Sequence, residues 1–184
     1  MKFGLTIIIL TTLLLGCGNA GPQNVQGGIG TLRTIQSDIQ TALPDLSHIS
    51  RADLDAQLTS APNTVVILDT RPAAEFNVSH IEGANRIDPD AAPQSLLSLT
   101  DVRGKDVVLY CSVGWRSSLL GQASKDALLA AGATSVRNLE GGLFGWHNDG
   151  RAVVNHDGPT HFIHPYDDKW GQLIKNTDAA RYTP

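Results

Sequence analysis

Thiols are scarce in this chain: among 184 residues only Cys17 and Cys111 carry one. Aromatic side chains make up 5% and charged ones 17%. Acidic residues outnumber basic ones by 18 to 14, a formal charge of -4, which excludes the broad basic surface that nucleic-acid binding needs. No internal repeat is present. Past the N-terminus no apolar run reaches the ~20 residues of a membrane-spanning helix. The six histidines show no clean metal-ligand spacing. What is there is a 41% apolar chain of a length that builds one core plus extensions.

The two cysteines need separate explanations. Lys2 is followed by an apolar run over 3–15, too short for a bilayer span of about 20 residues and suited to a secretory signal. It closes on Leu14-Leu15-Gly16-Cys17, which resembles a bacterial lipoprotein signal. Residues 1–16 are therefore expected to be the signal peptide and Cys17 the lipid-bearing residue. The chain would then be secreted and lipid-anchored at the cell envelope, on the periplasmic face of the outer membrane in a double-membraned bacterium. Cys111 becomes the only free thiol, which excludes a resolving cysteine within one chain. Residues 18–36 are glycine-rich, so 17–45 read as a flexible tether, and a domain begins near Leu46.

Within that domain, apolar runs alternate with helical patterns. Ser50 and Asp53 signal a capped helix start with Leu54 and Leu58 as its stripe. Val65, Val66, Ile67 and Leu68 form a β-branched and aliphatic run expected of a strand buried on both faces. Pro72 suits the first position of a short helix, and Leu96, Leu97 and Leu99 suggest another. Val107, Val108, Leu109 and Tyr110 are a second buried strand. A helix over 117–131 follows, with Leu119, Leu120, Ala123, Ala127, Leu128 and Ala131 on one face and Gly132 as its C-terminal cap. Ser135 to Leu139 is read as the last strand. This alternation predicts an α/β fold, a central parallel sheet flanked by helices on both faces.

Between the 107–110 strand and the next helix lie Cys111, Ser112, Val113, Gly114, Trp115 and Arg116, six residues. Sites in parallel sheets sit beyond the carboxyl ends of strands. There the loop amides and the first helical turn lack partners, and the helix dipole favours negative charge, whether thiolate or bound anion. Gly114 lets the loop curl, and Arg116 is its only side-chain charge.

Three ordered blocks extend this pattern. They are Asp69-x-Arg71-x-x-x-Glu75-Phe76-x-x-x-His80-Ile81-x-Gly83-Ala84, Cys111-x-x-Gly114-x-Arg116-Ser117 and Leu139-Glu140-Gly141-Gly142-x-x-x-Trp146. Together they resemble a single rhodanese domain covering 46–154. The resemblance implies a rhodanese-like fold and a sulfurtransferase without metal or organic cofactor. Cys111 would carry a sulfane sulfur as a persulfide, from a small sulfur-containing anion or persulfide donor to a thiol or cyanide-like acceptor. The loop formed by Ser112, Val113, Gly114, Trp115, Arg116 and Ser117 would bind the substrate. Related phosphatases and arsenate reductases have a loop one residue longer, so the six-residue count favours sulfur over phosphorus; a persulfide carrier without turnover is the non-enzymatic alternative. Ser112 and Val113 replace the basic residue common after the cysteine, which weakens thiosulfate as the donor.

The remaining polar residues read as structural. Asp69 and Arg71 tie the end of the first strand to its neighbours, with Glu75 a possible partner. His80 is expected to be a satisfied structural histidine, Trp146 core, and Ser117 and Ser118 helix caps. The 155–184 tail carries His156, His161, His164, Asp157, Asp167 and Asp168 beside Phe162, Ile163, Tyr166 and Trp170. It is expected to pack on the domain as an extension, with His161 and His164 left open between packing and the pocket mouth.

Overall fold

A computed structural model describes residues 30–99 and 101–184. Its elements in chain order are α1 (Leu32–Ala42), β1 (Ser47–Ile49), α2 (Arg51–Ser60), β2 (Val65–Asp69), α3 (Ala73–Val78), β3 (Asn85–Arg86), α4 (Leu96–Leu99), β4 (Asp106–Tyr110), α5 (Trp115–Ala130), β5 (Ser135–Leu139), α6 (Gly142–Asn148), β6 (Val153–Asn155), β7 (Gly158–Thr160) and α7 (Asp168–Gly171). The proposed signal peptide and Cys17 lie outside the described residues.

The first five strands form one sheet in the order β1-β5-β4-β2-β3, and every pairing is parallel. β2 and β4 lie side by side in unbroken register, from Val65 against Asp106 to Asp69 against Tyr110, and every residue of both is buried. Their side chains alternate between two cores, as the period of a strand requires. Ile67, Val108 and Tyr110 pack with Ile39, Leu54, Leu143 and Phe144 on one face. Val66, Leu68, Val107 and Leu109 pack with Leu96, Leu120 and Leu128 on the other. Helices thus cover both faces, as the α/β reading expects, and each fully buried aliphatic side chain contributes roughly 1.5–3 kcal/mol.

Four details differ from the sequence reading. The segment read as a tether over 17–45 contains α1, whose N-terminus is capped by the Thr31 side chain accepting from the Thr34 amide. Ile35 and Ile39 bury it in the core, because their i, i+4 spacing puts both on one face. Ser135 to Leu139 is not the last strand: β6 and β7 form an antiparallel hairpin after it. The boundary drawn between 154 and 155 falls inside that hairpin, which also exchanges backbone hydrogen bonds with His80 through Val154. Finally, α5 does not bury Leu119, which is 44% exposed. Its inner face consists of Ser117, Ser118, Leu120, Gly121, Ser124 and Leu128. Small residues let the helix approach closely: a Cβ on Gly121 would already touch Leu109 and Leu46 at 3.5 Å.

The C-terminal segment packs on the core. Ile163, Ile174 and Ala179 are buried with the α1, α2 and α6 side chains, and Ile163 pairs with the 179–181 backbone through two hydrogen bonds of 2.9 and 3.0 Å.

Candidate active site

β4 ends at Tyr110, and the chain turns at once into Cys111, which is 1% exposed. The turn depends on Gly114, whose φ of 99° is a left-handed conformation that suits a residue without Cβ. There is also no room for one, because a Cβ there would lie 3.0 Å from Asn138 Nδ2 and 3.3 Å from the Leu139 carbonyl. The turn directs the Gly114 N–H at Cys111 Sγ, 3.2 Å away. Ser117 and Ser118 donate their hydroxyls back to the Gly114 carbonyl at 3.1 and 2.7 Å. Ser117 shares its one hydroxyl proton with Asn138 Oδ1 at 2.6 Å, which locks the start of α5 to β5.

The rear of the loop is held by α6. Leu143 and Phe144 donate their amides to the Cys111 and Ser112 carbonyls, both at 2.9 Å. Gly142 makes this approach possible: a Cβ on it would lie 2.4 Å from the Cys111 carbonyl oxygen. The third sequence block is therefore a clamp on the second, a role its residue types did not announce.

Arg116 does not stand free over the thiol. Its guanidinium donates three hydrogen bonds of 3.1–3.2 Å to the Glu75 carboxylate and one of 3.0 Å to Ser112 Oγ, while Ser112 donates to Glu75 at 2.8 Å. Burial opposes the Arg116 charge, but the charges of Cys111 and Glu75 outweigh it and hold the side chain protonated. Glu75 is thus the partner of Arg116 and Ser112. The sequence reading considered it for Asp69 and Arg71, which pair with each other instead.

That second pair is sealed inside. Arg71 donates from its backbone and from Nε and Nη2 to the Asp69 carboxylate at 2.5–3.1 Å. Nη2 also donates to the Ser79 carbonyl at 2.6 Å. Burial works against the Arg71 charge and Asp69 more than restores it. Tyr110 lies beneath, its phenol pushed well above the ordinary value first by burial and then by Asp69. His80 stacks on Phe76 with ring centroids 3.8 Å apart and has Nδ1 3.0 Å from the Phe76 carbonyl. Asp69, Arg71 and His80 do not line the cavity over Cys111.

The cavity over Cys111 measures about 160 Å³ and is lined by Cys111, Ser112, Val113, Trp115, Arg116, Tyr166 and Trp170. Two of these wall residues come from the tail, which sequence reasoning placed in packing. No local signal marks Tyr166 or Trp170, since only the fold brings them to the loop. His164 is buried within range of the Glu75, Arg71 and Arg116 charges, while His161 is exposed and sits away from the cavity. Among the described residues no group of three or more His, Cys, Asp or Glu is arranged to hold a metal ion.

The model of the rhodanese-like domain matches residues 50–149, more than half of the chain. The chain belongs to the rhodanese-like domain family. The uncharacterized protein slr1261 of Synechocystis sp. is 31% identical over 113 residues, 59% of this chain and 57% of its own length. The tRNA uridine(34) hydroxylase of Pectobacterium atrosepticum is 26% identical over 137 residues, 71% of this chain and 36% of that enzyme. The chain therefore spans 57% and 36% of the length of these two relatives. Among solved structures, a rhodanese-related protein from Thermoplasma volcanium aligns with a TM-score of 0.48 at 24% identity, covering 59% of this chain and 97% of that one. A rhodanese-like domain from Anabaena sp. aligns with a TM-score of 0.47 at 25% identity, covering 59% and 78%.

Proposed function

We propose that this rhodanese-like domain is a sulfurtransferase that carries a sulfane sulfur on Cys111. The observation that carries the reading is the Gly114 N–H aimed at Cys111 Sγ inside a closed six-residue loop. A backbone donor of this kind stabilises the anionic sulfur before and after loading without reorganising. The thiolate attacks the outer sulfur of the donor. An Sγ–S bond forms, the donor's S–S bond breaks, and the leaving group departs with that electron pair. A thiol or cyanide-like acceptor then attacks the outer sulfur of the persulfide and returns Cys111 to the thiolate. Arg116 acts in this scheme as a brace on the loop. Its Nη1 and Nη2 donate to Glu75 and Ser112, and the six-residue loop, one residue shorter than in related phosphatases, supports sulfur over phosphorus.

The lipid anchor belongs to the same proposal. The apolar run closing on Leu14-Leu15-Gly16-Cys17 supports attachment through Cys17 at the cell envelope, and loss of fatty-acid labelling in Cys17→Ala tests it. For the chemistry, protein is treated with thiosulfate or methanethiosulfonate and Cys111 is weighed, with thiocyanate release from cyanide measured in parallel. A gain of one sulfur and thiocyanate formation are expected, and both are lost in Cys111→Ser. Neither signal from either donor would overturn the reading.

A further inference from the structure

The tail residues over Cys111 are held in place by more than proximity. Tyr166 is the only non-glycine residue with a positive φ, 68°, among the described residues, a costly backbone state for a side chain with Cβ. Its amide donates to His164 Nδ1 at 3.0 Å, and the next turn is fixed by Asp167, whose side chain accepts from the Trp170 amide at 2.8 Å. This conformation lays the Tyr166 ring over the Arg116 guanidinium, 5.0 Å from centroid to Cζ. Arg116 is therefore engaged on its edge by Glu75 and Ser112 and on its face by Tyr166. Arg116 and Glu75 cancel in charge, as do the sealed Asp69 and Arg71. No lysine lines the cavity. With Cys111 as thiolate, the side-chain charges of the pocket offer a dianion no net attraction. What it offers instead is Trp115, Tyr166, Trp170 and Val113 around about 160 Å³, and roughly 150 Å³ of apolar cavity accommodates a benzene ring.

We propose that the tail makes Cys111 selective for sulfane-sulfur donors that carry one compact apolar group, best an aromatic ring, and no more than a single negative charge. The proposal rests on the sulfurtransferase reading and names its donor class. With an arylthiosulfonate, Cys111 Sγ attacks the terminal sulfur and its S–S bond to the sulfonyl group breaks. The arylsulfinate leaves with the electron pair, and the terminal sulfur remains as the persulfide anion. No proton or external reductant is required. An aryl persulfide anion reacts likewise, releasing the aryl thiolate.

The test compares kcat/KM for benzenethiosulfonate, methanethiosulfonate and thiosulfate, each normalised to its rate with a free small thiolate. The expected order is benzenethiosulfonate, then methanethiosulfonate, then thiosulfate. Trp170→Ala and Tyr166→Gly should each lower the benzene-to-methane ratio about tenfold, the scale at which an apolar pocket discriminates. Tyr166→Gly removes the ring while relieving the positive φ, so an unfolded variant is not the explanation of a loss. Glu75→Gln, which uncovers the Arg116 charge, should raise thiosulfate relative to benzenethiosulfonate. Equal normalised values for all three donors, or a benzene-to-methane ratio unmoved by both tail variants, would overturn the proposal while leaving the persulfide chemistry standing. Absence of sulfur on Cys111 with every donor would instead overturn the underlying reaction.

Discussion

β2 and β4 are neighbours of equal length, buried throughout and paired in perfect register, yet their carboxyl ends have opposite fates. The β2 end is a plug. At 0% exposure Arg71 gives Nε and Nη2 to Asp69 and Nη2 to the Ser79 carbonyl, with Nη1 buried and unpartnered. The β4 end is a cup. Gly114 turns an amide onto a sulfur, and a cavity lies above it. Both ends use a carboxylate–guanidinium pair, but Arg71 is sealed whereas the Arg116 side chain keeps 30% exposure. The lesson is that an ion pair closes a strand end when it lies wholly below the surface, and shapes a site when it sits at the rim.

The largest test of this contrast is to break each pair. Asp69→Ala leaves the buried Arg71 charge alone and should cost about 3–5 kcal/mol in urea denaturation, against about 1 kcal/mol for Glu75→Gln, where water reaches Arg116. Equal losses would show that the two pairs do the same job. A smaller stability effect with a large functional one is expected from Gly142→Ala. Its Cβ would collide with the Cys111 carbonyl, costing on the order of 1–3 kcal/mol. Displacing the sulfur by even 1 Å should slow Cys111 loading about 100-fold, read by mass spectrometry over time.

Acid gives the smallest effect, and at the cup it acts through His164. Burial holds the His164 imidazole below its ordinary value against the pull of Glu75, with Arg71 and Arg116 pushing the same way as burial. His48 is lowered too, again chiefly by burial and against Glu140. The folded state therefore rejects protons that the unfolded chain accepts. Stability should be level above about pH 6.5 and decline below it, a fall in Tm of about 2 °C or less. Protonated His164 can no longer accept the Tyr166 amide at Nδ1, so His164→Asn should flatten the decline. A melting profile that rises toward acid would contradict this assignment.

How much of this was legible follows from how far apart the partners lie. The β4 strand, the Cys111 loop and the start of α5 are consecutive residues, so pattern and glycine placement revealed them, as Ser50 and Asp53 revealed the start of α2. The α1 helix was hidden by the glycine-rich residues before it, although Ile35 and Ile39 carry its spacing. Glu75 to Arg116 spans 41 residues, and nothing in either segment states that pairing. Tyr166 and Trp170 face Cys111 from the opposite end of the chain, through a segment whose own sequence reads only as apolar and polar residues in mixture. Leu119 was misplaced because α5 packs through serine and glycine, which a count of apolar positions passes over.

The two amides that α6 gives to the Cys111 and Ser112 carbonyls have a kinetic meaning. The loop is tied at its rear to α6 and at the start of α5 to β5 through Asn138 and Ser117. On the proposed chemistry, the floor of the cup is expected to keep one shape whether the thiol is bare or loaded. Whatever gates the reaction must act at the rim, where Tyr166 is held by one histidine nitrogen.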